Sequence, residues 1–231
     1  MSFIVPAYNE AKLLGATLDA IRGAAALTGE SFEMIVVDDD STDSTAAIAA
    51  GRGARVVAVK NRSIARTRND GARQARGEYL FFVDADTLID HRVLSAALAR
   101  LYAGDVGGGA VFKWDNAHRG FGRILELAVA TLLRYLRLAS GCFVYASRQA
   151  FEAVGGFDGS LFASEEWALS RALGRRGPFR VLKEPVITSG RKLAALRLRD
   201  VLMHLLRAGL RGPSSLKNRE FASMWYRDPP R

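Results

Sequence analysis

Acidic residues gather at three places in this sequence, each just past an apolar run. Asp84-Ala85-Asp86 follows Leu80-Phe81-Phe82-Val83, Asp38-Asp39-Asp40 follows Ile35-Val36-Val37, and Glu10 follows Phe3-Ile4-Val5 by way of Pro6-Ala7-Tyr8-Asn9. Residues i and i+2 of an extended segment point the same way. Two carboxylates so placed can hold a hard divalent cation, which takes oxygen ligands and keeps substrate phosphates in its shell. An Mg2+ or Mn2+ ion there neutralises charge developing on a diphosphate leaving group. The plainer reading of Asp-x-Asp is a solvated strand end whose acids cap the next helix. Like charges held close together destabilise a fold unless a cation or donors compensate them. In a chain of formal net charge +9, that clustering needs a reason.

Other chemistries find little support. Cys142, His91, His118 and His204 form no metal-ligand spacing, and there is no Cys-x-x-Cys pair and no serine nucleophile elbow. Gly104-Asp105-Val106-Gly107-Gly108-Gly109 is expected to precede a strand rather than open a helix, so it is not a dinucleotide fingerprint. Cys142 stands alone, so it has no disulfide partner within the chain and is expected to be buried packing in a reducing compartment.

The elements that must position these acids alternate. Short β-branched and aromatic runs predict strands at Phe3–Pro6, Met34–Asp38, Arg55–Val59 and Tyr79–Val83. Between them, Leu14, Leu18 and Ile21 share one face of a helix, and Ser44–Ala50 and Ser63–Ala75 predict two more. Such alternation implies an α/β fold, a single mostly parallel sheet with helices on both faces. Ligands of these sheets bind beyond the carboxyl ends of the strands, where the acids stand. The second half predicts a long helix at Arg123–Leu138, a helix from about Glu165 to Arg175, a strand near Arg180–Ile187 and a basic C-terminal helix.

Five stretches in order now make the chain resemble family 2 glycosyltransferases of the GT-A fold. They are Val5-Pro6-Ala7-Tyr8-Asn9-Glu10, Val36 through Asp43, Arg68-Asn69-Asp70-Gly71, Gly77-Glu78-Tyr79 through Asp86, and Gly155-Gly156-Phe157-Asp158 with Glu165-Glu166-Trp167 downstream. The resemblance implies a single domain over 1–231. Residues 1–105 would bind the nucleotide sugar, 106–194 would face the acceptor and carry catalysis, and 195–231 would form an amphipathic helix and tail. It implies a UDP- or GDP-linked sugar donor, a divalent cation, and transfer to an acceptor hydroxyl with inversion. The backbone at Pro6, Ala7 and Tyr8 would flank the nucleoside, Glu10 would take the ribose hydroxyls, and Asp38 and Asp39 would read the base. Arg68 would contact the nucleotide. In the Asp84-Ala85-Asp86 element, Asp84 would face the ribose or sugar and Asp86 would ligate the metal. Glu166 stands where the family has its aspartate base, with Glu165 as the alternative, and Arg191 after the last strand would close over the diphosphate, with Lys192 the weaker candidate. The family's glycine at position 40 is aspartate here, a residue that tolerates left-handed backbone angles.

Charge and patterning bear on partners. A net +9 favours anionic partners. The acidic strand ends argue against a nucleic-acid-binding module, whose surface should be basic where it tracks phosphates. Nucleotidyl transfer is the nearest enzymatic alternative, yet Pro6-Ala7-Tyr8-Asn9-Glu10 offers no glycine-rich basic loop. No leader peptide is expected and no apolar run reaches bilayer length, which predicts a cytoplasmic protein. In the C-terminal segment, Arg197, Asp200, His204, Arg207 and Arg211 share one face, opposite Leu198, Val201, Leu202, Leu205 and Leu206. A basic amphipathic helix of that kind can lie in an inner-membrane interface, or pack on a core or a second copy.

Overall fold

A computed structural model of the protein describes residues 1–115, 121–161 and 164–190, with residues 121–125 described as backbone only. The first half forms β1 (Ser2–Ala7), α1 (Leu14–Ala26), β2 (Glu33–Asp39), α2 (Thr45–Gly51), β3 (Arg55–Val59), α3 (Ile64–Gln74), β4 (Tyr79–Val83), a short β5 (Thr87–Leu88) and α4 (His91–Tyr102). The second half adds β6 (Gly107–Trp114), α5 (Phe121–Leu136), β7 (Phe143–Ser147), α6 (Arg148–Ala153), α7 (Glu165–Gly174) and β8 (Phe179–Thr188).

All eight strands join one sheet in the order β3-β2-β1-β4-β7-β6-β8-β5. The β3-β2-β1-β4 half is parallel throughout, and β6 pairs β8 in parallel, while β7 runs antiparallel to both its neighbours and β5 antiparallel to β8. The sheet is therefore mostly parallel, with its reversal confined to β7 and β5.

Strand residues divide by parity between two cores, as the pleat requires. Phe3, Val5, Met34, Val36, Phe81 and Val83 face α1, α2 and α4. Ile4, Ile35, Val37, Leu80 and Phe82 face α3, α6 and α7. Fully buried aromatic and aliphatic side chains each contribute roughly 1.5–3 kcal/mol, and the central strands supply most of them. Gly104-Asp105-Val106 precedes β6, as expected, and Gly107-Gly108-Gly109 opens it. A Cβ on Gly108 would meet the Arg180 carbonyl at 1.9 Å, so the cluster admits the neighbouring backbone of β8.

Candidate active site

Four consecutive residues of α3 organise the acidic rim, each in a different way. A Cβ on Gly71 would lie 2.4 Å from Ile4 Cγ2 and 2.8 Å from Val37 Cγ2, so glycine lets the helix press onto β1 and β2. Asp70 accepts from the Asn61 side chain at 2.5 Å. Asn69 clamps the segment after α6: its Nδ2 donates to the Phe157 carbonyl at 2.8 Å and its Oδ1 accepts from the Phe157 amide at 2.9 Å. Arg68, only 1% exposed, spans the site. Its Nη2 donates to Asp84 Oδ1 at 2.8 Å and to the Gly141 carbonyl at 2.7 Å, and its Nη1 donates to Glu165 Oε1 at 3.0 Å. The Phe157 ring lies 5.2 Å from its guanidinium carbon. Burial pulls the Arg68 pKa down, but Asp84 and Glu165 outweigh it and hold the guanidinium above its ordinary value.

Arg68 was expected to contact the nucleotide. In the structure its terminal nitrogens bond to protein groups and tie Asp84 to Glu165. The Asp84-Ala85-Asp86 geometry also differs from expectation. The extended run ends at Val83, and the Thr87 amide donates to the Asp84 carbonyl at 3.0 Å, closing a turn between β4 and β5. Thr17 Oγ1 on α1 ties the turn down at the Ala85 carbonyl, at 2.9 Å. Asp86 is half-buried; its carbonyl accepts from the Ser189 amide at 3.2 Å and its Oδ1 from Thr188 Oγ1 at 3.5 Å, which anchors the turn to the end of β8.

The β1 and β2 ends are stitched together. Pro6 and Ala7 are the last residues of β1, in register with Val37 and Asp38. Asn9, at φ 52°, accepts from the Thr42 amide at 2.8 Å, and the Glu10 amide donates to Thr45 Oγ1 at 2.9 Å. Glu10 heads the turn that leads into α1, its carbonyl accepting from the Leu13 and Leu14 amides at 3.1 and 3.0 Å. Asp38 is buried, with Oδ1 accepting from the Ser41 amide at 3.3 Å. Asp39 was expected beside Asp38 as a base reader, but its carboxylate turns into the chain. Oδ1 accepts from the Asn61 and Arg62 amides at 2.6 and 3.0 Å, and Oδ2 from Thr67 Oγ1 at 3.1 Å. Asp40 occupies the left-handed region at φ 65°, which aspartate tolerates better than most residues.

Arg62 was missed by the sequence reasoning. Its guanidinium lies 4.9 Å from the Tyr8 ring centre and donates to Asp40 at 2.8 Å. That pairing, ahead of a second contact from Lys60, lowers the Asp40 pKa. Asn61 and Arg62 follow β3 as the acids follow β1, β2 and β4. The strand-end rule could have found them had it been applied to cations.

Glu165 and Glu166 open α7 behind Ser164, a non-glycine residue at φ 60°. Glu165 is buried against Arg68. Glu166 is half-buried, and its carboxyl carbon lies 3.6 Å from where a Gly141 Cβ would stand. Burial first, and then the charge of Glu165, push its pKa up to about 8, against the pull of Arg68. Glu165, by contrast, is locked in its ion pair with Arg68. Cys142 is buried beside Ser140, and burial pushes its thiol up to about 12. Arg191, Lys192 and the basic amphipathic segment lie outside the described residues.

Among the described residues no group of three or more His, Cys, Asp or Glu side chains forms a metal cage. A nucleotide-borne divalent ion needs less, one or two carboxylates with the phosphates completing its shell. Asp84 and Asp86, hard oxygen donors at either side of one turn, fit that requirement.

The family model described as "Glycosyl transferase family 2" matches residues 2–154. Glucosyl-3-phosphoglycerate synthase of Mycolicibacterium paratuberculosis is 29% identical over 170 residues, 62% of this chain and 49% of the relative. The chain thus spans about half that relative's length. Among solved structures, Staphylococcus aureus TarS 1–349 in complex with UDP-GlcNAc superposes with a TM-score of 0.63 at 21% identity, covering 81% of this chain and 58% of that one. The mannosyltransferase PcManGT of Pyrobaculum calidifontis, in complex with GDP-Man and Mn2+, gives 0.64 at 21% identity over 89% and 64%. At such identity the likeness shows the fold, which is GT-A.

Proposed function

The chain belongs to glycosyl transferase family 2, and from that premise we propose that it moves a sugar from a UDP- or GDP-linked donor to an acceptor hydroxyl, with a divalent cation and with inversion. One observation carries this reading. The buried Arg68 guanidinium joins Asp84, on the donor side, to Glu165, the neighbour of the base candidate, in a single rigid unit. Support for the donor class comes from the UDP-GlcNAc and GDP-Man bound to the two structural neighbours.

In this reading the nucleoside lies over the ends of β1 and β2, flanked by Pro6, Ala7 and Tyr8. Glu10 accepts from the ribose hydroxyls and Asp38 from the base, while Asp39 holds the Asn61-Arg62 loop in place. Asp84 faces the ribose or sugar, its other contacts fixed by Arg68. Asp86, with Asp84, would hold the cation. When bound, that ion supplies charge compensation to the departing diphosphate.

Glu166 receives the proton of the acceptor hydroxyl as its oxygen bonds to the anomeric carbon. The bond from that carbon to the diphosphate breaks, and the nucleoside diphosphate leaves with the electron pair. A base with a pKa of about 8 lies close to working pH, where proton transfer is most effective.

Calorimetry across UDP- and GDP-sugars, with and without Mn2+, tests the proposal. Mn2+-dependent binding of at least one donor, lost in Asp86→Ala, is the expected result. The reading fails if no donor binds, or if Asp86→Ala matches the wild type.

A further inference from the structure

A second charged site lies on the open side of β8 and shares no residue with the acidic rim. There a cleft of about 570 Å3 runs between α4, α5 and the first half of β8. Arg100, Arg134, Arg137, Arg180 and Lys183 line it, against one acid, Glu184. Arg180 pairs with Asp105 at 3.1 Å, but among the described residues Arg100, Arg134, Arg137 and Lys183 make no ion pair. Pairing with β5 covers the outer side of β8 only at Ile187 and Thr188, so the cleft follows the uncovered part of an edge strand.

Two observations on α5 point to what the cleft meets. Four of its side chains face solvent while Leu133 is buried: Leu127 is 69% exposed, Leu132 54%, Tyr135 83% and Leu136 50%. At about 100° per residue these fall on one arc, and Arg134 sits at its border. A contiguous apolar patch rimmed by cations marks an interaction surface. The helix then ends on Arg137 in the left-handed region at φ 54°, with the Leu138 amide donating to the Leu133 carbonyl at 2.9 Å. Glycine is the usual residue at such a helix end, and Arg137 stands there at a conformational cost.

We propose that this surface docks on an anionic membrane. The cleft takes the phosphate-bearing headgroup of an acidic phospholipid, and Leu132, Tyr135 and Leu136 enter the interface beside it. Charge selects this occupant over the others. A two-fold pairing of copies through this patch would bring two basic clefts together. Residues 191–231 carry ten Lys or Arg against three Asp or Glu, so they do not complement the cleft either. No helix among the described residues is long and apolar enough to cross a membrane. The proposal stands apart from the sugar-transfer reading, since it uses none of the same residues.

Co-sedimentation of the full chain with vesicles tests it, comparing phosphatidylcholine alone with phosphatidylcholine enriched in phosphatidylglycerol. Binding is expected only to the anionic vesicles and weakens as salt rises. Each cation near such a surface strengthens binding about fivefold, so Arg134→Gln/Arg137→Gln weakens it roughly 25-fold. Leu132→Ser/Tyr135→Ser removes the part of binding that survives at high salt. Both pairs stand at surface positions or at a helix end, and an unchanged thermal midpoint will show that the variants remain folded. Equal binding to both vesicles, or an unchanged Arg134/Arg137 variant, overturns the proposal. So does release by inorganic phosphate at constant ionic strength, which would make the cleft a free-phosphate site. Loss of binding confined to Arg207→Gln/Arg211→Gln would move the contact to the C-terminal segment, and dimerisation abolished by Tyr135→Ser would assign the patch to a second copy.

Discussion

Arg68 Nη1 lies 3.0 Å from Glu165 Oε1, an ion pair between two buried side chains that stand 97 residues apart in sequence. Breaking such a pair on one side leaves a buried charge uncompensated and costs roughly 3–5 kcal/mol, whereas replacing both partners by apolar groups is often neutral. Arg68→Met is therefore expected to lower stability by about that amount, and Arg68→Met/Glu165→Leu to recover much of it. Urea unfolding of both variants measures the difference. Activity should be lost in both, because Asp84 loses its anchor either way.

Glu166 gives a pH dependence with a definite sign. Its pKa is raised from the ordinary 4.5 to about 8, by burial and then by Glu165. As a base it works deprotonated, so the transfer rate should rise with pH and level off above about 8. Stability runs the other way. Between the unfolded and folded pKa values the folded state binds more protons, so this contribution is whole below about 4.5 and is lost as pH rises through about 8. Glu166→Gln should cut transfer by about 10²–10⁴-fold and remove that loss of stability. Rate profiles and thermal midpoints across the same buffers check both halves.

Much of this was legible in the sequence for a simple reason. Strand periodicity located β3 and β4 to the residue, and the acids beyond β1, β2 and β4 marked the rim. What stayed hidden depends on tertiary contact. The direction of Asp39 is set by amides at Asn61 and Arg62, and the commitment of Arg68 by residues as distant as Gly141 and Glu165. β7 was not foreseen because Phe143–Ala146 is a short apolar run without alternation, buried on both faces. α4 was missed although Asp90 caps it through the amides of Arg92 and Val93. Pattern reading locates elements; it does not say which side chain turns inward.

Gly71 offers a test of how closely the site depends on helix packing. An added Cβ would press on Ile4 and Val37 in the centre of the sheet. Overpacking of this kind costs roughly 1–3 kcal/mol. Gly71→Ala should lower the unfolding free energy by that much and weaken donor binding as well, because α3 carries Arg68. Adding Ile4→Ala removes the nearer of the two clashes, so the double variant should regain part of the donor binding in the same calorimetric assay even though the truncation itself lowers stability.

In the proposed reading, Asn69 stands between the acceptor side and the donor side. Its two hydrogen bonds to the Phe157 backbone hold that ring against Arg68. Asn69→Asp keeps the acceptor for the Phe157 amide but sets a carboxylate oxygen against the Phe157 carbonyl. Losing the donor in a partly buried place costs about 1–3 kcal/mol. The segment after α6 should then loosen while β1, β2 and the Asp84 turn keep their own anchors at Thr42, Thr45 and Thr17. Steady-state kinetics should therefore show a fall in kcat with donor KM nearly unchanged. Equal damage to donor binding would mean that Phe157 supports the whole site through Arg68, and not its acceptor side alone.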